Sequence, residues 1–375
     1  MKIAVNTRLL LKDKLDGIGW FSYETLKRIT KKHKEHEFLF IFDRKFSDEF
    51  IFSDNITPYV ISPQSRHPFL WYMYFEWSTT SFLKKHNPDL FFSPDGWISL
   101  KTQTKTLDVI HDINFEHNPE HLPYLYRKYY LNYFPKFAQK SSRIATVSEF
   151  TKQDIVEKYN ILPEKIDVVY NGANIKYSPI SESEKEATKK QYSNNADYFL
   201  FIGTIHRRKN LHNLIIAFDK FKKSTSNNTK LLVVGAVMWG AKELEDTLSK
   251  ITCKKDIIFT GRANENELHK IISSSLAMVY PSFFEGFGIP ILEAMYCEVP
   301  VITSNTTSMP EVGGDAAIYI EPSSVGSITD ALTKIEKSPE LRKELVEKGK
   351  IQREKFSWDK SADKLWKSMI RTIEK

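Results

Sequence analysis

Two cysteines, Cys253 and Cys297, are all that this 375-residue chain contains. They are too few for a disulfide framework at this size and fit a reducing compartment. No apolar run approaches the ~18–20 residues of a bilayer span. The opening residues, Met1-Lys2-Ile3-Ala4-Val5-Asn6, lack the apolar block and small-residue cleavage site of a secretory signal. The expectation is a cytoplasmic protein. Low-complexity tracts and short-period repeats are missing too, which excludes solenoids and fibrous proteins. Nor do Asp and His residues gather into a dense cluster with metal-ligand spacing, so no metal is expected. What is present is ordinary for a globular chain: 41% hydrophobic and 27% charged residues. Lys and Arg number 54 against 47 Asp and Glu, a formal charge of +7. That excess permits nucleic acid, anionic lipid or a phosphorylated small molecule as partner and does not choose among them. No aromatic-basic motif supports the first, so no nucleic acid partner is expected.

Short, β-rich apolar runs recur at 2–8, 38–43, 59–62, 90–93, 107–111, 144–148 and 168–171. Each reads as a parallel strand buried on both faces. Helical stretches at 21–32, 70–85 and 124–140 lie between them. Residues 178–197, SPISESEKEATKKQYSNNAD, are polar and read as an exposed helix plus linker. Alternation then restarts, with strands expected at 198–203, 231–235, 257–261, 277–281, 299–303 and 317–320. The fold class expected is α/β, with two Rossmann-like, doubly wound domains in series. The boundaries expected are 1–185, 186–355 and a terminal helix at 356–375. That helix carries a stripe of Leu365, Trp366, Met369 and Ile370, which must be buried somewhere; the first domain is the expected place.

Two segments carry chemistry. The first, PSFFEGFGIPILEAM at 281–295, leaves a strand, passes Gly286 and Gly288, and enters an apolar helical run. Such a junction turns backbone N–H groups toward an anion, and the glycines allow close backbone approach. Glu285 and Glu293 stand eight residues apart and suit sugar hydroxyls as acceptors. Taken singly, each favours the alternative of a glycine turn with one capping and one solvated glutamate. The second, FIGTIHRRKNL at 201–211, also joins strand to helix. Its cations Arg207, Arg208 and Lys209 would neutralise a diphosphate, Arg through forked hydrogen bonds and Lys as a point charge. The alternative is a solvated basic loop.

Together these segments resemble retaining glycosyltransferase family 4, of the GT-B fold. The similarity extends through PVITSNTTSMPEVGGDAAIYIEP, and more weakly through Gly17-Ile18-Gly19, His111-Asp112-Ile113-Asn114, Thr146-Val147-Ser148-Glu149-Phe150-Thr151 and Tyr170-Asn171-Gly172. The pattern is most similar to bacterial mannosyltransferase-type members that build O-antigen, capsule or exopolysaccharide. The resemblance implies two Rossmann domains facing a cleft, the second holding a nucleotide diphosphate sugar and the first most of the acceptor site. It implies that Glu293 bonds the ribose and that Glu285 accepts from a donor-sugar hydroxyl. The N–H groups of Phe287 and Gly288 would face sugar or phosphate. Arg208 and Lys209, on the Gly203 loop, would bind the diphosphate. Arg262 would sit near the base, Gly19 would admit the phosphate, and His111 would lie by the reactive face of the sugar. One departure stands out: many members carry Arg directly after the glycine, where this chain has Thr204. The family generally works without a metal, so no cofactor is expected beyond the donor, with GDP-mannose the first choice.

The acceptor implied is a growing glycan or a lipid-linked oligosaccharide. The aromatic run 69–77 with Lys84 and Lys85, and the basic residues Lys27, Arg28, Lys31, Lys32 and Lys34, read as a peripheral membrane contact or, alternatively, as a buried helix and a solvated charged face. Two further readings are a GT-B enzyme of different chemistry, such as a sugar-nucleotide epimerase or a phosphorylase, and a catalytically silent binding subunit. The 281–295 block argues against the first, and intact His111, Lys209, Glu285 and Glu293 argue against the second.

Overall fold

Near-continuous apolar runs become parallel strands here because helices cover both faces of each sheet. The computed structural model describes residues 1–174, 176–225, 227–236 and 241–374. The chain divides into two units. The first is Met1–Asn171 together with the stretch from Ser357 onward; the second is Gly172–Phe356.

The first unit holds a parallel sheet of β1 (Lys2–Asn6), β2 (Glu37–Phe42), β3 (Ile56–Val60), β4 (Leu90–Ser93), β5 (Thr106–Ile110), β6 (Arg143–Thr146) and β7 (Ile166–Val168). Their order is β3-β2-β1-β4-β5-β6-β7. The register sets Val5 against Phe40 and against Phe92, and all three are buried. The terminal helix Trp358–Glu374 belongs to this unit. Leu365 and Met369 are buried, Trp366 stacks on His33 at 3.9 Å, and Asp359 and Asp363 pair with Arg28 and Lys32 of the helix Gly17–Lys32.

The second unit holds β8 (Tyr198–Ile202), β9 (Lys230–Val234), β10 (Ile257–Gly261), β11 (Ala277–Tyr280), β12 (Val301–Ser304) and β13 (Ala317–Ile320). They run in the order β10-β9-β8-β11-β12-β13, all parallel. Phe199, Phe201, Leu231 and Val233 pack with Leu214 and Phe218 of the helix Leu211–Ser224 to form its core.

Three expectations are corrected. Residues 172–185, expected in the first unit, belong to the second. The Ser178 carbonyl accepts from His269 Nε2 at 2.6 Å and from Ser273 Oγ at 3.1 Å, which ties this segment down. The strand expected at 59–62 begins earlier, at Ile56, and includes Pro58. A sheet edge tolerates proline because no ladder bond is needed on its outer side. The single helix expected at 70–85 is broken by a π-turn, Tyr74–Thr79, between Pro68–Met73 and Thr80–His86. The wider turn places Tyr74, Phe75 and Glu76 all inside, and Glu76 Oε1 accepts the Leu100 N–H at 2.8 Å.

Each sheet reverses direction once, between β1 and β4 and between β8 and β11. Ligands of open α/β sheets bind outside the carboxyl ends of the strands at such a reversal.

Candidate functional site

At the β8/β11 reversal the two chemistry-bearing segments of the sequence meet. The loop after β8 leaves through Gly203 at φ +144°, whose N–H bonds the Val234 carbonyl. A short 3₁₀ turn, Arg207–Lys209, follows, and His206 Nδ1 accepts the Arg208 N–H at its start. Asn210 is left-handed at φ +58° and buried. Its amide donates to the carbonyls of Pro281 at 3.0 Å and Pro322 at 2.7 Å. The Phe283 N–H adds a bond to the Arg208 carbonyl. The basic loop is thus stapled to the chain leaving β11.

That staple brings Arg208 Nη1 to 2.8 Å from Glu285 Oε2 and 2.6 Å from the Phe284 carbonyl. Lys209 Nζ lies 2.7 Å from Glu285 Oε1 and 2.6 Å from the Tyr280 hydroxyl. Burial of the Glu285 carboxyl acts to raise its pKa, but the Arg208 and Lys209 charges overcome this and hold it at about 2. It is therefore ionised throughout the neutral range. The Tyr280 hydroxyl is driven far up by burial and by the Glu285 charge, so it stays protonated. The Glu285 loop is braced from 306–308. Ser308 Oγ donates to the carbonyls of Glu285 and Phe287, and Thr307 Oγ1 accepts the Glu285 N–H.

Gly288, at φ +97°, caps the helix Ile289–Tyr296. Glu293 lies in its second turn and is half-buried. The buried Phe287 ring packs edge-on against Phe356 at 5.5 Å. Arg262 stands exposed just past β10. Strand β10 is two places from β8, about 10 Å at the usual strand spacing, so Arg262 is outside the Arg208–Glu285–Lys209 group.

His111 and Gly19 are in the first unit. His111 follows β5, and its Nε2 lies 2.8 Å from the Pro94 carbonyl. A carbonyl only accepts, so Nε2 carries the proton and Nδ1 presents a lone pair. Burial lowers its pKa, which keeps the ring neutral. Phe21 packs edge-on against it at 5.1 Å. Gly19 lies in the first turn of Gly17–Lys32, and its N–H is taken by Asp16 Oδ1. A Cβ there would come within 3.2 Å of the Leu9 carbonyl and 3.1 Å of Leu15, so a side chain at this position would crowd its neighbours.

The comparisons agree over nearly the whole chain. Residues 182–352 match the model "Glycosyl transferases group 1" and residues 15–177 match "Glycosyltransferase Family 4". O-antigen chain mannosyltransferase RfbU of Salmonella typhimurium is 32% identical over 291 residues, 76% of each protein. The chain belongs to glycosyltransferase family 4. O-antigen chain mannosyltransferase B of Escherichia coli is 27% identical to this glycosyltransferase, over 96% of the chain and 97% of the relative. Among solved structures, HepE from Anabaena, in complex with UDP and glucose, superposes with TM-score 0.76 at 15% identity, covering 99% of both chains. WaaG, a glycosyltransferase involved in lipopolysaccharide biosynthesis, superposes with TM-score 0.74 at 16% identity, covering 96% and 98%. These neighbours share the GT-B fold.

In this family-4 glycosyltransferase the structure adds residues that sequence reasoning missed. Tyr280 closes the cation group from below, and Lys209 Nζ lies 4.8 Å from the centre of its ring. Gly235, at φ +151°, passes so close to Gly203 that a Cβ would sit 1.9 Å from the Gly203 carbonyl oxygen. In the first unit, the β1/β4 reversal holds a buried network. Arg8 Nε meets Asp95 Oδ2 at 2.5 Å, and Asn6 Nδ2 donates to Ser93 and Asp95. The Arg8 guanidinium stacks on Trp97 at 4.4 Å. An Asn and an Arg ending an apolar strand were the only signal available in the sequence. Among the described residues, no group of three or more His, Cys, Asp and Glu is placed to hold a metal ion, and no helix is long and apolar enough to cross a membrane.

Proposed function

We propose that this glycosyltransferase is a retaining mannosyltransferase. It takes mannose from GDP-mannose and adds it to a growing glycan or lipid-linked oligosaccharide of a cell-surface polysaccharide, working at the cytoplasmic side. The observation that carries the reading is the meeting of Arg208, Lys209 and Glu285 at the β8/β11 reversal. The printed activity of the two O-antigen mannosyltransferases supports mannose, and the UDP-bound neighbour supports a nucleotide donor.

In this reading Arg208 and Lys209 turn from Glu285 toward the diphosphate and stabilise the charge that grows on it as the anomeric C–O bond breaks. Glu285 then accepts from a donor-sugar hydroxyl. The N–H groups of Phe287 and Gly288 approach the phosphate from the helix N-terminus, Glu293 bonds the ribose, and Arg262 lies toward the base. The acceptor hydroxyl attacks on the face the diphosphate leaves. Its oxygen bonds the anomeric carbon, and its proton passes to the departing phosphate oxygen. His111 is assigned to the reactive face of the sugar. Charge neutralisation is assigned to the two side-chain cations, with no metal cofactor.

A screen of GDP-, UDP- and ADP-sugars for slow donor hydrolysis identifies the donor without knowledge of the acceptor. Lys209→Ala and Glu285→Ala are each expected to lower turnover at least tenfold in folded protein. Wild-type rates in both remove the assignment, and hydrolysis of UDP-sugars alone replaces GDP-mannose.

A further inference from the structure

Between β12 and the helix Met309–Gly313 the chain has only residues 305–308 in which to turn. Three successive hydroxyls there bond the backbone of the Glu285 loop. Thr306 Oγ1 donates to the Phe283 carbonyl at 3.2 Å, and Thr307 Oγ1 accepts the Glu285 N–H at 3.2 Å. Ser308 Oγ donates to the carbonyls of Glu285 at 2.8 Å and Phe287 at 3.1 Å. In an extended segment successive side chains point to opposite faces. Three neighbours therefore reach one partner only where the backbone departs from that geometry. It does so at Thr307, whose φ is +55°.

That conformation is unusual for this residue type. The other non-glycine residues of positive φ among those described are six Asn or Asp and Glu298; Thr307 is the β-branched member. A branched Cβ is crowded in the left-handed region, where glycine is not. Such strain persists only where surrounding contacts over-determine it, and it gathers at functional sites. Here the contact is specific. The Thr307 hydroxyl holds the amide of Glu285, whose carboxylate is shared between Arg208 and Lys209. The loop carrying those cations is anchored separately, by the Asn210 amide on the Pro281 and Pro322 carbonyls and by the Phe283 N–H on the Arg208 carbonyl.

We propose that Thr307 is a positioning residue for sugar transfer: its left-handed backbone aims a hydroxyl at the Glu285 N–H, and that bond sets the Glu285 carboxylate toward the donor sugar. The inference rests on the assignment of Glu285 to a donor-sugar hydroxyl. Thr307 acts on the carboxylate and leaves the diphosphate cations in place, so it governs the chemical step more than nucleotide binding. Glycine at 307 would relax the backbone and lose the bond. Valine would keep the branched Cβ and lose the bond, and serine would ease the crowding and keep it.

The test compares Thr307→Gly, Thr307→Val and Thr307→Ser in the full chain. Calorimetry gives Tm and GDP affinity, and steady-state hydrolysis of GDP-mannose, or of the UDP-sugar that replaces it, gives kcat and KM. Loss of one hydrogen bond at a buried backbone donor should lower kcat about tenfold in the Gly and Val variants. GDP affinity should stay within about twofold of wild type, because the transition state is affected and nucleotide binding is not. The Tm of Thr307→Gly should be no lower than that of Thr307→Val, and Thr307→Ser should keep wild-type turnover. In a Glu285→Ala background Thr307→Val should lower kcat no further, since nothing is left to position. A merely structural role would instead give additive losses. Should Thr307→Val be insoluble, Thr307→Gly, which takes the turn freely, stands in for it in each comparison. The proposal is overturned by wild-type kcat in Thr307→Gly and Thr307→Val, by an equal loss in Thr307→Ser, or by additivity with Glu285→Ala. A tenfold loss in Glu285→Ala beside wild-type rates in the Thr307 variants removes the positioning role alone. A wild-type rate in Glu285→Ala removes the donor-sugar assignment itself, and the proposal with it.

Discussion

Replacing Glu285 by Gln isolates the electrostatics of the site at nearly constant shape. The Glu285 side chain is 8% exposed and accepts from two cations whose side chains are 23% and 13% exposed. Breaking a fully buried ion pair by removing one partner costs about 3–5 kcal/mol. Here each cation keeps a second acceptor, the Phe284 carbonyl for Arg208 and the Tyr280 hydroxyl for Lys209. The expected loss is therefore about 2 kcal/mol, roughly half of the full penalty. In a unit of this size that lowers Tm by roughly 4–8 °C. The pH dependence has a definite sign. The folded pKa, about 2, lies below the ordinary 4.5. The stabilisation is thus complete above pH ~4.5 and fades as pH falls toward 2. Wild type and Glu285→Gln should differ by a constant Tm from pH 8 to 5 and converge below that. GDP binding supplies the decisive contrast. In the wild type, an incoming diphosphate competes with Glu285 for Arg208 and Lys209; in the variant it does not. Calorimetry should show GDP affinity in Glu285→Gln equal to or tighter than wild type, while sugar transfer falls at least tenfold. An unchanged Tm, or a loss of GDP affinity like that of Lys209→Ala, refutes the reasoning.

Tyr280→Phe removes the hydroxyl that holds Lys209 and nothing else. It should reduce GDP affinity by a few-fold and turnover by about tenfold, the scale of one charge-assisted hydrogen bond; steady-state kinetics check it. Gly235→Ala drives a methyl into the Gly203 carbonyl, so its expected outcome is insoluble protein or a Tm lowered by more than 10 °C, measured by scanning calorimetry on any soluble fraction. His111 titrates below its usual 6.5 because burial disfavours the imidazolium. Its neutral form stabilises the fold above that pH and the benefit is lost as pH falls through it. His111→Gln should flatten the decline in Tm between pH 6.5 and 5, and a variant as pH-sensitive as wild type contradicts this.

Much of the architecture is written in apolar runs that cannot be exposed. EFLFIF at β2 and YFLFI at β8 have no polar face to offer water, so only a doubly covered parallel sheet accommodates them. The strand–loop–helix segments around Lys209 and Glu285 were visible for the same reason, since glycines and charges interrupt otherwise buried sequence. Less was visible where a residue has two uses. Tyr280 reads as the last apolar position of a strand, yet its hydroxyl supports Lys209. Gly19 reads as a ligand-facing glycine, and Leu9 and Leu15 also pack closely around it. Trp71 and Trp77 lie six residues apart in one aromatic run, yet the first is buried and the second is exposed.

The sequence alone therefore determined the two Rossmann units, their strands and the identity of the charged loops, because hydrophobic periodicity and glycine placement are local properties. Tertiary structure decided that Arg208, Lys209, Tyr280 and Glu285 form one group. Their partnership depends on strand order: β8 and β11 are adjacent only because the sheet reverses there, and no spacing along the chain encodes that adjacency.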